Sequence, residues 1–312
     1  MIIVSVTNKD NMKPCFLINA RNKEKYVYKS VRGALGQVVP CEILLSDQQS
    51  TDGTVAEMRR AVAECSMGAD HEIRFVTCPT AGPYSMKAAN EHMAWASRQT
   101  DAEWIFQSSA DDYSLPARVS VCMEAVAKNP CSAVATTMYF EEPDKPSRDT
   151  VSGYPKQTGY VKAADGLTNL AYGSTIAGYH RSFMEKVADK AGKATPDVFF
   201  GLAASLAGGF YVVVNPQHVH SNIADLKNTG FQGKMRAATG EASLKLAALN
   251  HEQLMALYFA CWEIAQELCP NGVPPDDLNA IVNMVIGNAK GMLDAREVLR
   301  SKGIPQCVLE LP

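Results

Sequence analysis

Short apolar runs alternate with helix-period stretches along the first part of this chain. Cys15-Phe16-Leu17-Ile18, Glu42-Ile43-Leu44-Leu45, Ile73-Arg74-Phe75-Val76 and Trp104-Ile105-Phe106 each have the length and composition of a strand. Between the first two, Tyr26, Val27, Val31, Ala34 and Leu35 recur at helical spacing, and Gly36 and Pro40 close that helix. A second helix is expected over 55–65, capped by Ser50 or Thr51. A third holds Met86, Ala89, Met93 and Ala96. This order predicts a parallel sheet covered by helices on both faces, with right-handed crossovers. The run Ile2-Ile3-Val4-Ser5-Val6 adds a candidate edge strand.

The second part is less regular. A helix is expected from Pro116 to about 128, then a strand over 132–139 and an exposed loop over 141–146. Residues 151–178 have no sustained period and predict irregular structure over a site, with Tyr154, Tyr160 and Tyr172 as candidate acceptor contacts. Short helices are expected over 180–187 and 196–206, and Phe210-Tyr211-Val212-Val213-Val214 is a β-branched strand that stops at Asn215-Pro216. From about 223 the character changes. Residues 223–240, with Lys227, Lys234 and Arg236 among glycines, suit a mobile loop closing over a ligand. Two amphipathic helices over 241–312 form an extension suited to packing on the rest or on a second copy as a homodimer.

A net charge of −3 excludes a global electrostatic drive toward nucleic acid or anionic membrane. No apolar run has the roughly 18 residues of a membrane span. Nine cysteines, scattered and without a CxxC pair, point to reduced thiols in a cytoplasmic protein rather than a disulfide framework or zinc site.

The candidate chemistry gathers at Ser108–Pro116, SSADDYSLP. Two adjacent carboxylates, Asp111 and Asp112, follow the Trp104 strand where the backbone leaves the sheet. Ligands of open α/β sheets bind outside the carboxyl ends of the strands, and two acids there can hold a hard divalent cation that bridges to phosphate.

Five pieces in register, Phe16–Asn22, Ala34–Gln37, Glu42–Thr54, Asn90 and Ala110–Pro116, resemble the nucleotide-binding half of family-two inverting glycosyltransferases. The resemblance spans roughly 14–222. It implies a GT-A, Rossmann-like, mainly parallel sheet over 1–222, followed by the loop and the α-helical extension. It further implies metal-dependent sugar transfer from a nucleoside-diphosphate sugar, UDP- or dTDP-linked by preference, to an acceptor hydroxyl on a glycan, protein, small molecule or, less favoured, DNA.

By the same resemblance, Asn19, Ala20 and Arg21 line the base and ribose pocket, and Asp47 accepts from the nucleobase. Asp47 equally suits an Asx-type turn. Lys87 would reach phosphate or base, or stand solvated. Asp111 would ligate Mn2+ or Mg2+, with His220 near the metal or diphosphate and Asp112 beside it or on the sugar. Ser109 stands where the family's Asp-any-Asp motif has its first acid, and suits a ribose hydroxyl or a metal-bound water. Asp197 matches the general base, with Asp165 the weaker alternative, although an acid in the first turn of a helix is favoured on its own account. His218 is expected to point elsewhere. Pro196 replaces the family's Glu, and the two departures keep a catalytically inactive binding domain in view. A nucleotidyltransferase is the third reading.

Overall fold

The computed structural model describes residues 14–80, 85–142, 145–151, 155–162, 176–194 and 196–221, with Glu263, 266–269, Asp276 and Asn279. The candidate strand at 2–6, the loop at 223–240, Asp165, Tyr154, Tyr172 and most of the helical extension, with its dimer contact, lie outside the described residues. Among the described residues no helix is long and apolar enough to cross a membrane.

The first half follows the expected alternation: β1 (Pro14–Ala20), α1 (Glu24–Leu35), β2 (Glu42–Asp47), α2 (Thr54–Glu64), β3 (Glu72–Thr77), α3 (Met86–Ser97) and β4 (Trp104–Ser109). The four strands are parallel, in the order β3-β2-β1-β4. α2 does not use Ser50 or Thr51 as its cap. Gly53 is the N-cap residue, and Asp52 Oδ1 accepts the Thr54 backbone N–H at 3.0 Å.

The sheet then becomes mixed. β5 (Tyr113–Ser114), α4 (Arg118–Val126), β6 (Ala133–Glu142), β7 (Lys145–Val151), β8 (Gly159–Val161), β9 (Ala177–His180), α5 (Arg181–Val187), α6 (Pro196–Leu206) and β10 (Phe210–His220) complete the order. β9 inserts antiparallel between β4 and β6, and β10 runs parallel to β6. Three expectations change here. The loop at 141–146 is mostly strand, because β6 continues and pairs antiparallel with β7. The irregular stretch contains β8 and β9. The last strand does not stop at Pro216 but passes it with a register shift between Val213 and His218, as a residue lacking an N–H requires within a ladder.

Three apolar layers hold the sheet. Phe16, Ile18, Ile43, Leu45 and Phe106 face α1, α2 and α4. Cys15, Leu17, Leu44 and Ile105 face the C-terminal half of α3. Tyr179, Phe183, Phe199, Phe200 and Phe210 fill the space beneath α5 and α6. Each fully buried large side chain contributes roughly 1.5–3 kcal/mol relative to exposure.

Two features fasten the loop that carries Asp111 and Asp112. A Cβ on Gly33 of α1 would meet the Ser114 backbone oxygen at 2.7 Å, so only glycine lets β5 lie this close to the helix. Gln37 donates to the carbonyls of Gly33 at 2.9 Å and Leu115 at 2.8 Å, and accepts the Val119 N–H at 3.0 Å. Buried Gln37 thus ties the end of α1 to both sides of the turn before α4.

Candidate functional site

One face of the sheet changes character along its strands. Side chains alternate across a strand, so Cys15, Leu17 and Asn19 of β1 share a face with Leu44 and Ser46 of β2 and with Ile105 and Gln107 of β4. That face is apolar at the N-terminal ends and polar at the C-terminal ends. Asn19 Nδ2 donates to Gln107 Oε1 at 2.7 Å, and Ser46 Oγ lies 2.7 Å from His92 Nε2 of α3. Burial, followed by the charge of Arg21, pushes the His92 pKa down to about 4.

Above this belt a cavity of about 290 Å³ opens between the strand ends and the first turns of α3. Asn19, Ala20, Arg21, Ser109 and Asp111, all expected at the site, line it. So do Lys23, Gln48, Asn90, His92, Gln107 and Pro196. Three buried polar atoms on these walls, Asn19 Oδ1, Asn90 Oδ1 and Gln107 Nε2, have no hydrogen-bond partner among the described residues. Buried polar groups are rarely left so, which suits a wall completed by a polar ligand.

Asp111 and Asp112 face opposite ways. Asp111 meets the cavity, where Lys23 Nζ stands 2.5 Å from Oδ2 and the Ser109 hydroxyl bonds the other oxygen. Asp112 is only 2% exposed and turns inward. Its Oδ1 takes His220 Nδ1 at 2.8 Å and the Ser221 N–H at 3.2 Å, and its Oδ2 faces His218 Nε2 at 3.4 Å. Burial raises its pKa, but the two histidines outweigh burial and hold it well below the usual carboxylate range. Asp112, expected beside the cation or orienting the sugar, is walled in behind the loop.

His218 does not point elsewhere. β10 continues through 218 and 220, so both residues lie on one face and both reach Asp112. Burial, the first cause, lowers the His218 pKa despite its bond to Asp112. The neutral ring then explains its surroundings. Arg118 Nη1 donates to Ser114 Oγ at 3.0 Å, Ser114 Oγ lies 3.4 Å from His218 Nδ1, and Nε2–H points at the carboxylate. The His220 pKa moves the other way. Burial opposes its charge, but Asp112, Asp111 and Asp197 together raise it.

Other expected residues fall off the cavity wall. Asp47 is buried at the end of β2, where both carboxylate oxygens accept from Ser50, from its hydroxyl at 2.5 Å and its N–H at 3.0 Å. Lys87 lies on the exposed side of α3, paired with Glu91 at 3.1 Å one turn on. Asn90 instead faces inward and donates to the carbonyls of Gly192 at 2.9 Å and Ala194 at 3.0 Å, linking α3 to the approach to α6. Asp197 sits in the first turn of α6, directly after the cavity-lining Pro196. Tyr160 is remote: it pairs with Tyr211 at the far end of β10, roughly 25–30 Å along the strand from His220.

The sequence pattern of the family described as Glycosyl transferase family 2 matches residues 15–188, the stretch that builds most of this cavity. The chain belongs to that family. The chain has no match among curated proteins. Among solved structures it is similar to residues 1–349 of S. aureus TarS in complex with UDP-GlcNAc, with a TM-score of 0.54 and 14% identity over 95% of this chain and 83% of that one. It is likewise similar to the mannosyltransferase PcManGT of Pyrobaculum calidifontis in complex with GDP-Man and Mn2+, at 0.54 and 14% over 93% and 75%. Against the longer TarS chain, it covers 44% of that chain. These likenesses establish the GT-A fold.

The cavity also holds residues that carry weaker signals in the sequence. Gln107 was legible as a polar side chain at an inward position of an apolar strand. Lys23 and His92 carried no such signal, because the exact cap residue of a helix is not legible to within a residue or two and a histidine on a helix face is ordinary.

Proposed function

We propose that this glycosyltransferase moves a sugar from a nucleoside-diphosphate sugar, UDP- or dTDP-linked, to an acceptor hydroxyl with inversion at the anomeric carbon, in the cytoplasm. The observation that supports the reading is the convergence of the β1 end, the β4 end and the start of α6 on one cavity that carries polar side chains at the strand ends. The nucleotide would lie against Asn19, Ala20 and Arg21, with Ser109 at the ribose. Asp47, held in its turn by Ser50 and paired beside Ala20, would accept from the nucleobase.

Asp197 would accept the acceptor's hydroxyl proton as that oxygen attacks the anomeric carbon from the face opposite the diphosphate. The bond from that carbon to the phosphate oxygen breaks, and the nucleoside diphosphate leaves with the electron pair. Burial first and then the charge of Asp197 raises the Tyr179 pKa, and Asp197 adds to the rise at His220 that Asp112 leads against burial. Its place in the first turn of α6, directly after the cavity-lining Pro196, supports the general-base reading.

A divalent cation, Mn2+ or Mg2+, fits here in a limited sense. Among the described residues no group of three or more His, Cys, Asp or Glu side chains could hold a metal. Asp111 with His220 supplies two protein donors, which suits an ion that completes its shell with phosphate and water oxygens. Such an ion would supply positive charge to the departing diphosphate.

The test is binding and product analysis. UDP, dTDP, GDP and CDP are screened by thermal shift, and the nucleotide-sugars of the responding base are then assayed for release of nucleoside diphosphate. Asp197→Asn is expected to keep nucleotide binding and to lose about 10²-fold or more in turnover. Pyrophosphate as the product, or unchanged turnover in the variant, would sink the reading.

A further inference from the structure

Lys23 is the N-cap of α1, yet its side chain makes no cap bond. Ser, Thr, Asp and Asn are favoured there because they accept an N–H, and a cation at that end opposes the helix dipole. Local helix physics therefore gives no reason for a lysine. Its backbone N–H is fixed by Thr54 Oγ1 at 2.6 Å, and the side chain crosses the cavity wall to Asp111 Oδ2 at 2.5 Å. The other carboxylate oxygen carries the Ser109 hydroxyl. Both oxygens of the acid that would meet a divalent ion are thus already engaged by donors from the chain.

An ammonium 2.5 Å from Asp111 Oδ2 repels a divalent ion drawn to the same carboxylate, so each cation weakens the other's hold. We propose that Lys23 is a displaceable counter-cation, holding Asp111 until the ion and the donor diphosphate bind, when the ammonium exchanges the carboxylate for phosphate oxygen. The inference rests on the reading of Asp111 as the cation's carboxylate. It makes ion and nucleotide mutually supportive. The nucleotide draws Lys23 away and frees Asp111 for the ion, and by linkage the ion frees Lys23 for the nucleotide. It also keeps the carboxylate neutralised when the cavity is empty, with no need for a metal cage.

The probe is Mn2+ alone, followed by electron paramagnetic resonance on the full chain without nucleotide. Lys23→Gln is expected to bind Mn2+ about 5-fold or more tightly than the unaltered protein, within the usual range of such couplings. Lys23→Arg, which keeps the charge, is expected to bind no more tightly than the unaltered protein. Thermal melts of each variant check that it is folded. Equal Mn2+ affinity in Lys23→Gln and the unaltered protein, with binding lost in Asp111→Ala, overturns the role of Lys23 and leaves the cation reading standing. Absence of Mn2+ binding in all of these proteins overturns both.

Discussion

His220 Nδ1 stands 2.8 Å from Asp112 Oδ1, which makes a buried carboxylate the anchor of a partly exposed histidine at the end of β10. His220 is 25% exposed at its side chain, while Asp112 and His218 are nearly sealed. The pair therefore runs from the interior toward the surface, and the acid sets the orientation of the ring. Asp112→Ala would leave His218 buried without its carboxylate and His220 without its anchor. Breaking a buried pair of this kind costs about 3–5 kcal/mol. A large fall in the urea midpoint is expected for Asp112→Ala, with a smaller one for Asp112→Asn, which keeps the shape. Equal stability of Asp112→Ala and the unaltered protein would remove this role.

Gln37 offers a separate test, away from the cavity. Its side chain satisfies three backbone groups across the turn between β5 and α4. Gln37→Ala removes three bonds and strands the buried Val119 N–H, so a loss of about 2–4 kcal/mol is expected from denaturant unfolding. A change within about 0.5 kcal/mol would mean that the turn is held by other contacts.

His92 gives a pH signature. Its pKa falls from 6.5 toward about 4 on folding, mainly through burial and then through Arg21. The native state thus binds fewer protons than the unfolded one between these values, and stability rises with pH there. The contribution is complete above about 6.5 and fades as pH falls toward 4, by up to about 3 kcal/mol. His92→Gln is expected to flatten the stability profile across that window. A profile with the same slope in both proteins would show that other groups carry it.

How much of this was legible in the sequence varies from element to element. The first four strands and three helices are written locally, because a buried parallel strand must be a short apolar run and its crossover helix must be amphipathic. Asn19, Arg21 and Asp111 were legible for a related reason: polar residues directly after such runs fall at the strand ends. The β9 insertion between β4 and β6 was not legible, since pairing partners distant in sequence leave no periodic trace. Nor was the passage of β10 beyond Pro216, where a neighbouring strand rather than local propensity keeps the backbone extended.

By itself, then, the sequence determined the alternating parallel half-sheet, the family and the strand end at which the acids gather. Tertiary structure alone decided which acid does what. Asp111 and Asp112 are adjacent, so consecutive side chains leave the backbone in different directions, and only the walls around them tell one from the other. β10 brings two histidines to Asp112, while the start of α1 brings Lys23 to Asp111. Those partners lie 88 to 108 residues away along the chain, a difference of 108 from 220 − 112, and no local pattern can encode a meeting over that distance.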